Sequence, residues 1–510
     1  MLTIMIDFYV GVKIRLTLRK KVTKSMKNTA QMPPWWETIR EQFSPLFICL
    51  ILALLAALFL GMAIGRSNLI FGLAAVGALV MVIIVLFRWD ELTVSLIIAV
   101  HLWIDWFLAL HLISILMALV LLFAYYFGRS VQRPWVEPRP IWLWTLFLVL
   151  NIYPAIYGGQ FMVYDAASFY PSDVLGAFLL FWLGSIIAKD ISTLRRVFQM
   201  LSIIATFIAI HTIIEEVTGV FLFSTSHEDI HLLMASNLDI MGSNASRAAS
   251  FLVDPNWNGC FLAMMFFLPL GLFIESKSLL GKLIFLAEMA LILVALLFTY
   301  SNGAWVALLT GIVAFVYWVG SQRYRLLWLI IIAFIALFIL VLFPSQLATQ
   351  LQRASAPNEF SMRLGAWETG IRVMEAFPLF GVGLGGQAYL IRANPYVVPA
   401  QVIPLPHPHD TYIQWGAMAG IPVMVIFLLL LGYAFWCSWG NWRAVDIRYR
   451  PLLGGGITAL IALSINSVSV DGWTNFAIAL FGWLIFGMLA SPLLHKYAHD
   501  AKQQERQLTY

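Results

Sequence analysis

Apolar runs about as long as a bilayer is thick follow one another along this chain, and they settle most of its architecture. About 20 apolar residues in a helix cross a hydrocarbon core. By that criterion spans fall near 46–64, 69–87, 92–111, 112–127, 140–157, 172–188, 197–221, 257–274, 283–299, 303–320, 326–344, 411–436, 451–468 and 473–490. That is about fourteen spans, or about twelve if close neighbours merge. Only 11% of the 510 residues are charged and 61% are hydrophobic, whereas a soluble domain carries about 25% charged residues. No soluble fold of this size buries so much apolar surface. The fold class is therefore all-α, a polytopic integral membrane protein.

Orientation comes from lysine and arginine in the short loops. With the N-terminus in the cytoplasm, all ten lysines fall on the cytoplasmic side. So do Arg129, Arg133, Arg139, Arg195, Arg196, Arg323, Arg325, Arg443, Arg448 and Arg450. The expected organisation is a basic cytoplasmic segment at 1–45, helices one to eleven over 46–344 and an extracytoplasmic loop at 345–410. Helices twelve to fourteen follow over 411–490, then a cytoplasmic tail at 491–510. Residues 1–12 contain Asp7 and lead into a basic run rather than a cleavage site, so the first span is expected to act as a signal anchor. Cys49, Cys260 and Cys437 show neither metal-ligand spacing nor a disulfide framework. The net charge of +5 is small and unevenly spread, and it points to no nucleic-acid partner.

The longest polar interruption, 343–410, gathers arginines, carboxylates, glycines and two histidines. Ser361 is placed to cap a helix that Pro378 stops after Phe377. Arg363 and Trp367, four residues apart, share a face of it. Arginine's planar fork suits a phosphate oxyanion, while the plainer reading is a surface helix anchored by Trp367. Arg372 can pair with Glu368 and Glu375. Gly381, Gly383, Gly385 and Gly386 match no nucleotide-binding spacing, and a flexible return to the membrane explains them equally well. His407 and His409 precede the twelfth span. Histidine is suited to proton transfer near neutral pH, although an interfacial histidine need do nothing. His407, set between Pro406 and Pro408, is expected to tolerate substitution. A metal would need ligands beyond Asp410. A second outer stretch holds Arg247, Asp254, Asn256 and Asn258, with Asp254 reading as a helix cap. Within spans, His101/Asp105 and His211/Glu215 are spaced i, i+4, with Glu216 adjacent. Each pair can neutralise itself or form a proton path.

Arg363, Trp367, Pro378, Gly381, Gly383, His409 and Asp410 together resemble the hallmark of the O-antigen ligase / O-antigen polymerase family. That hallmark is an arginine, a tryptophan four residues on, Pro-x-x-Gly-x-Gly, a long loop, and a histidine beside a polar residue at the head of a span. Asp410 stands where asparagine is more usual. Arg247 and Asn256 resemble the family's second arginine segment. Ser301-Asn302-Gly303 is similar to a Ser-Arg-Gly, with Asn302 in place of the arginine. The resemblance covers roughly 240–435 and implies a metal-independent, cofactor-free, inverting glycosyltransferase. It would be multi-pass in the bacterial inner membrane, with its active site on the extracytoplasmic face. The implied donor is a glycan on undecaprenyl diphosphate, and the acceptor is lipid A core or another glycan. Carried over, the resemblance makes His409, Arg363 and Arg247 catalytic. It makes Trp367, Asn256, Gly383 and Asp410 substrate-binding, and Arg372 is a further candidate substrate-binding residue on the same helix. The alternatives are a multi-span solute transporter, which the His/Asp and His/Glu pairs would serve, and a non-catalytic scaffold.

Overall fold

A computed structural model of the chain describes residues 118, 119, 122, 136–161, 169–219, 247–318 except 253, 343–354, and 357–499 except 402. The chain divides into two compact units, and the elements that position the candidate site lie in the one formed by Arg88–Leu121 and Glu137–Tyr510. Among the described residues there are helices and no strands. The expected spans at 46–64, 69–87, 92–111, 112–127 and most of 326–344 lie outside the described residues, as do His101 and Asp105.

Seven described segments are long and apolar enough to cross a membrane. The first is α1 (Ile141–Leu150) followed by α2 (Ile152–Gly158). Next come α3 (Gly176–Ile187), entered through a wider turn at Tyr170–Leu175, and α4 (Ile191–Thr218). The run at 255–275 is two helices, α5 (Pro255–Met265) and α6 (Phe267–Glu275), and α7 is Leu279–Thr299. α8 (Asn302–Trp318) is shorter. α9 (Pro344–Ala354), α10 (Pro357–Ala376) and α11 (Gly386–Ala393) form the long loop. α12 (Thr411–Ala419), α13 (Ile421–Ala444), α14 (Arg450–Asn466) and α15 (Phe476–Leu489) complete the unit.

Small residues let these helices approach closely, as is usual where lipid removes the hydrophobic drive between them. A side chain at Gly184 on α3 would meet the Leu484 carbonyl of α15 at 2.4 Å. One at Gly487 on α15 would meet the Phe181 carbonyl at 2.0 Å. Between these contacts, aromatic rings fill the core. Trp144 and Trp483 lie 5.1 Å apart, and Phe147 lies 5.1 Å from Trp415. At the far ends of α4 and α6, Arg195 grips Glu275 in a two-pronged ion pair.

Two expectations need correction. The twelfth span is not one helix over 411–436. Gly420, at φ +95°, separates α12 from α13, and the backbone N–H of Ile421 donates to the Pro378 carbonyl at 2.8 Å. Tyr412 and Trp415 both reach Phe427, at 6.3 and 5.6 Å. A continuous helix would set Tyr412 and Phe427 roughly 22 Å apart, so α12 folds against α13. The other correction concerns α10. It begins at Pro357, a turn before Ser361, because proline already carries the φ of a first helical position.

Candidate active site

Three stretches distant in sequence meet at one end of this unit. The first is the segment leading into α5. Asp254 caps that helix, its carboxylate accepting from the backbone N–H of Asn256 at 2.6 Å and of Trp257 at 3.4 Å. This is the cap the sequence led us to expect. Arg247 is buried beside it. Its Nε donates to the Thr299 carbonyl at 3.0 Å, and its Nη2 donates to Asn256 Oδ1 at 2.7 Å. The two residues that resembled a family pair are thus hydrogen-bonded to each other.

This loop is held from below by the buried acidic and imidazole groups of α4. The Glu215 carboxylate accepts the backbone N–H of Ala249 at 3.3 Å and of Ser250 at 2.7 Å. His211 Nδ1 lies 3.0 Å from Ser250 Oγ, and its ring meets that of Phe251 at a tilt, with centroids 4.4 Å apart. Both groups take their partners from residues 249–251, beside Arg247. They anchor a loop, and a proton path along α4 is not needed to explain them.

The second stretch is α10 and the chain from there to α12. Gly370 packs against Pro408 and Ile413, and Gly416 packs against Met374, so α10 runs alongside α12. The backbone N–H groups of Val382, Gly383 and Leu384 donate to the carbonyls of Ala417, Met418 and Pro154, each at 2.9 Å. Gly383 has φ +104°, and a side chain there would stand 2.7 Å from the Gly158 nitrogen. The Pro-x-x-Gly-x-Gly element therefore ties α10 to α12 and α2 through close backbone contact that only glycine allows. Arg372 is exposed and holds Glu368 at 2.7 Å. Trp367 is half-buried, and its indole nitrogen is shielded without an acceptor.

His409 closes this stretch in a left-handed conformation, φ +55°. Such a backbone is uncommon outside glycine and concentrates at functional sites. Asp410 then caps α12, one carboxylate oxygen accepting from Tyr412 and Ile413 at 2.8 Å each. Burial pushes the Asp410 carboxyl up to about 6. His409 is pushed the other way, well below the ordinary histidine value. Burial is the main cause, and charges on His407 and Arg363 add to it. Burial disfavours the ionised form of either group, so His409 is a neutral imidazole at neutral pH.

His407 does not stand apart from its neighbour. The two rings meet nearly at right angles with centroids 4.3 Å apart. The backbone N–H of His409 donates to His407 Nδ1 at 3.3 Å, which puts the proton of a neutral His407 on Nε2.

That Nε2 faces a residue the sequence reading passed over. Asp471, in the loop joining α14 to α15, places Oδ2 3.9 Å from it, within ion-pair but beyond hydrogen-bond distance. Its Oδ1 accepts from Trp257 Nε1 at 2.6 Å. Asp471 is buried and bridges α5 to the histidine pair. The signal available was a lone carboxylate in the Val-Asp-Gly-Trp stretch between two apolar runs. The Thr411 backbone and hydroxyl pin the same loop, reaching the carbonyls of Ser467 and Val470. Nearby, Gly303 lets α8 approach Ser469 and Asn466 closely. The Ser-Asn-Gly segment therefore joins the same end of the bundle.

The cluster runs Arg247, Asn256 and Trp257, then Asp471, His407, His409 and Arg363. It offers fixed cations, a neutral imidazole able to accept a proton, and a carboxylate behind its neighbour. Residues 287–428, which contain Arg363 and both histidines, match the family model described as O-antigen ligase. Over that stretch the chain is similar to the O-antigen ligase/polymerase family. No curated protein matches it. The match supports a membrane enzyme of the O-antigen ligase/polymerase type, in keeping with the seven described segments long and apolar enough to cross a bilayer.

Proposed function

We propose that this enzyme transfers a glycan from undecaprenyl diphosphate to a lipid A core or glycan acceptor on the extracytoplasmic face, without a metal and with inversion. The observation that carries the proposal is the meeting of Arg363 and His409, from the family-matched segment, with the Arg247 segment through the Trp257–Asp471–His407 contacts. The chemistry follows from the residues. An acceptor hydroxyl oxygen attacks the anomeric carbon. The bond from that carbon to the diphosphate oxygen breaks, and undecaprenyl diphosphate leaves with the electron pair. His409, neutral and partly enclosed, takes the hydroxyl proton. Arg363 carries the growing charge on the diphosphate, and fixed charges of this kind often contribute most to catalysis. Arg247 uses two of its donors on Thr299 and Asn256, and its charge acts from a locked position. Asp471 places a negative charge 3.9 Å from His407 Nε2, and the His407 ring packs on that of His409.

The test is turnover by the purified protein in proteoliposomes. The substrates are an undecaprenyl-diphosphate oligosaccharide and either lipid A core or a second lipid-linked oligosaccharide. Product with inverted anomeric configuration, formed in the presence of a chelator, is expected. Retained configuration, or loss of turnover on chelation that added metal restores, would overturn the mechanism.

A further inference from the structure

Away from the histidines, the far end of α10 borders an open cavity of about 250 Å³ walled by Tyr153, Tyr157, Phe377, Phe380 and Arg392. Tyr153 and Tyr157 lie one turn apart on the same face of α2. Their rings are parallel to within 7° with centroids 5.9 Å apart, and Phe380 leans on Tyr153 at 4.7 Å. Half of Tyr153 and half of Phe380 is exposed. Arg392 sits over the rings of Phe377, at 4.6 Å, and Tyr157, at 4.8 Å. Among the described residues no carboxylate pairs with it. The aromatic rings hold the guanidinium by cation–π contact, which uses none of its N–H groups and leaves them for a ligand.

We propose that this cavity is a second saccharide subsite, which holds a sugar ring bearing an anionic substituent, a carboxylate or a phosphate. The proposal rests on the glycan-transfer reading above and adds what the glycan must carry. Three observations select this occupant. The volume falls below the roughly 300–1,000 Å³ of sites that enclose a whole ligand, so it suits one ring of a longer chain. The tyrosines offer flat apolar faces for the C–H side of a sugar and hydroxyls at their rims, which a bare inorganic anion would not use. Arginine's edge, unmatched by a carboxylate here, selects a negative group, which a lipid tail lacks. The site lies well away from the chemistry. Phe377, the residue just past α10, is fourteen positions from Arg363, or about 21 Å at the helical rise. That leaves room for several sugars between the reacting end and the ring held here. The subsite would grip a distal part of the glycan and position it without touching the reacting atoms.

The experiment is saturation-transfer NMR and calorimetry on the purified full chain in detergent. The probes are a glucuronate-containing disaccharide, its neutral glucose counterpart, glucosamine 1-phosphate, inorganic phosphate and undecaprenyl phosphate. The acidic disaccharide and the sugar phosphate are expected to bind at least about ten times more tightly than the neutral one. Arg392→Gln should abolish that preference. Tyr153→Ala, at an exposed ring whose loss the fold tolerates, should weaken acidic and neutral sugars alike. Equal binding of acidic and neutral disaccharides by the wild type, or no binding of either, would overturn the proposal. So would inorganic phosphate or undecaprenyl phosphate matching the acidic sugar with no response to Tyr153→Ala. These readings need no turnover. Saccharide binding with no transfer by the wild type would instead remove the transfer reading alone.

Discussion

Asp471 makes two separable contacts, and two substitutions divide them. Asp471→Asn keeps an oxygen for the Trp257 indole, now at 2.6 Å, and removes the charge that faces His407 Nε2 at 3.9 Å. Asp471→Ala removes both. At 3.9 Å, unit charges in an effective dielectric of 20 interact by roughly 4 kcal/mol, which is the most the Asn variant can forfeit when positive charge builds up on the histidine pair. Both side chains are largely buried, at 15% and 8% exposed, so solvent screening takes little of this. Transfer by Asp471→Asn is expected to fall by about 10–10³ with little change in thermal stability. Asp471→Ala should lose a further ~1–3 kcal/mol of stability, because it strands a part-buried N–H. The assay is initial-rate transfer in proteoliposomes, paired with thermal unfolding followed by tryptophan fluorescence. Full transfer by Asp471→Asn, or equal stability of the two variants, would refute the idea that one carboxylate serves both the frame and the histidines.

Three more outcomes follow from the geometry. His409 is held neutral in the fold, below its unfolded value near 6.5. Its contribution to stability is complete above that pH and is lost as pH falls. Asp410, raised to about 6, works in the opposite sense, losing its contribution as pH rises towards 6. Thermal stability should therefore drop more steeply in acid in Asp410→Asn than in the wild type, with His407 and Arg363 beside His409, and Asp471 beside His407, left unchanged; a shallower drop would contradict the assignment. Arg247→Lys keeps the charge and loses the forked contacts to Thr299 and Asn256, so both it and Arg247→Ala should lower stability, while Arg247→Ala should lower transfer more; equal transfer by the two variants would argue for a purely structural arginine. Gly383→Ala should cost about 1–3 kcal/mol or more, since a methyl group would press on the Gly158 backbone, and an unchanged melting temperature would count against the close-approach argument.

The membrane character of the fold was legible because span length is fixed by bilayer thickness, and every described span except the twelfth overlaps its expected place, although α4 starts at Ile191 rather than at 197. That exception arose because an unbroken apolar run does not reveal a fold-back; only the positive φ of Gly420 does. Arg363 and His409 were legible because they sit in one polar stretch. Arg247 and Asn256 were too, although nothing in their nine-residue separation showed that they bond to each other. Asp471 was not legible. It approaches the histidines only through the packing of α14 and α15 around α12, and a lone carboxylate between two spans looks like an ordinary loop residue. The pairing of His407 with His409 was missed for a related reason. The prolines around His407 seemed to set it apart, whereas the left-handed turn at His409 folds the two rings together.

The measurement closest to the central claim is single-turnover transfer by His409→Ala, with binding of the lipid-linked donor followed in parallel. If His409 takes the proton from the acceptor hydroxyl, the rate falls by about 10²–10⁴, while donor binding stays within a few-fold of wild type because the arginines remain. Wild-type transfer by His409→Ala, with binding intact, would contradict the account.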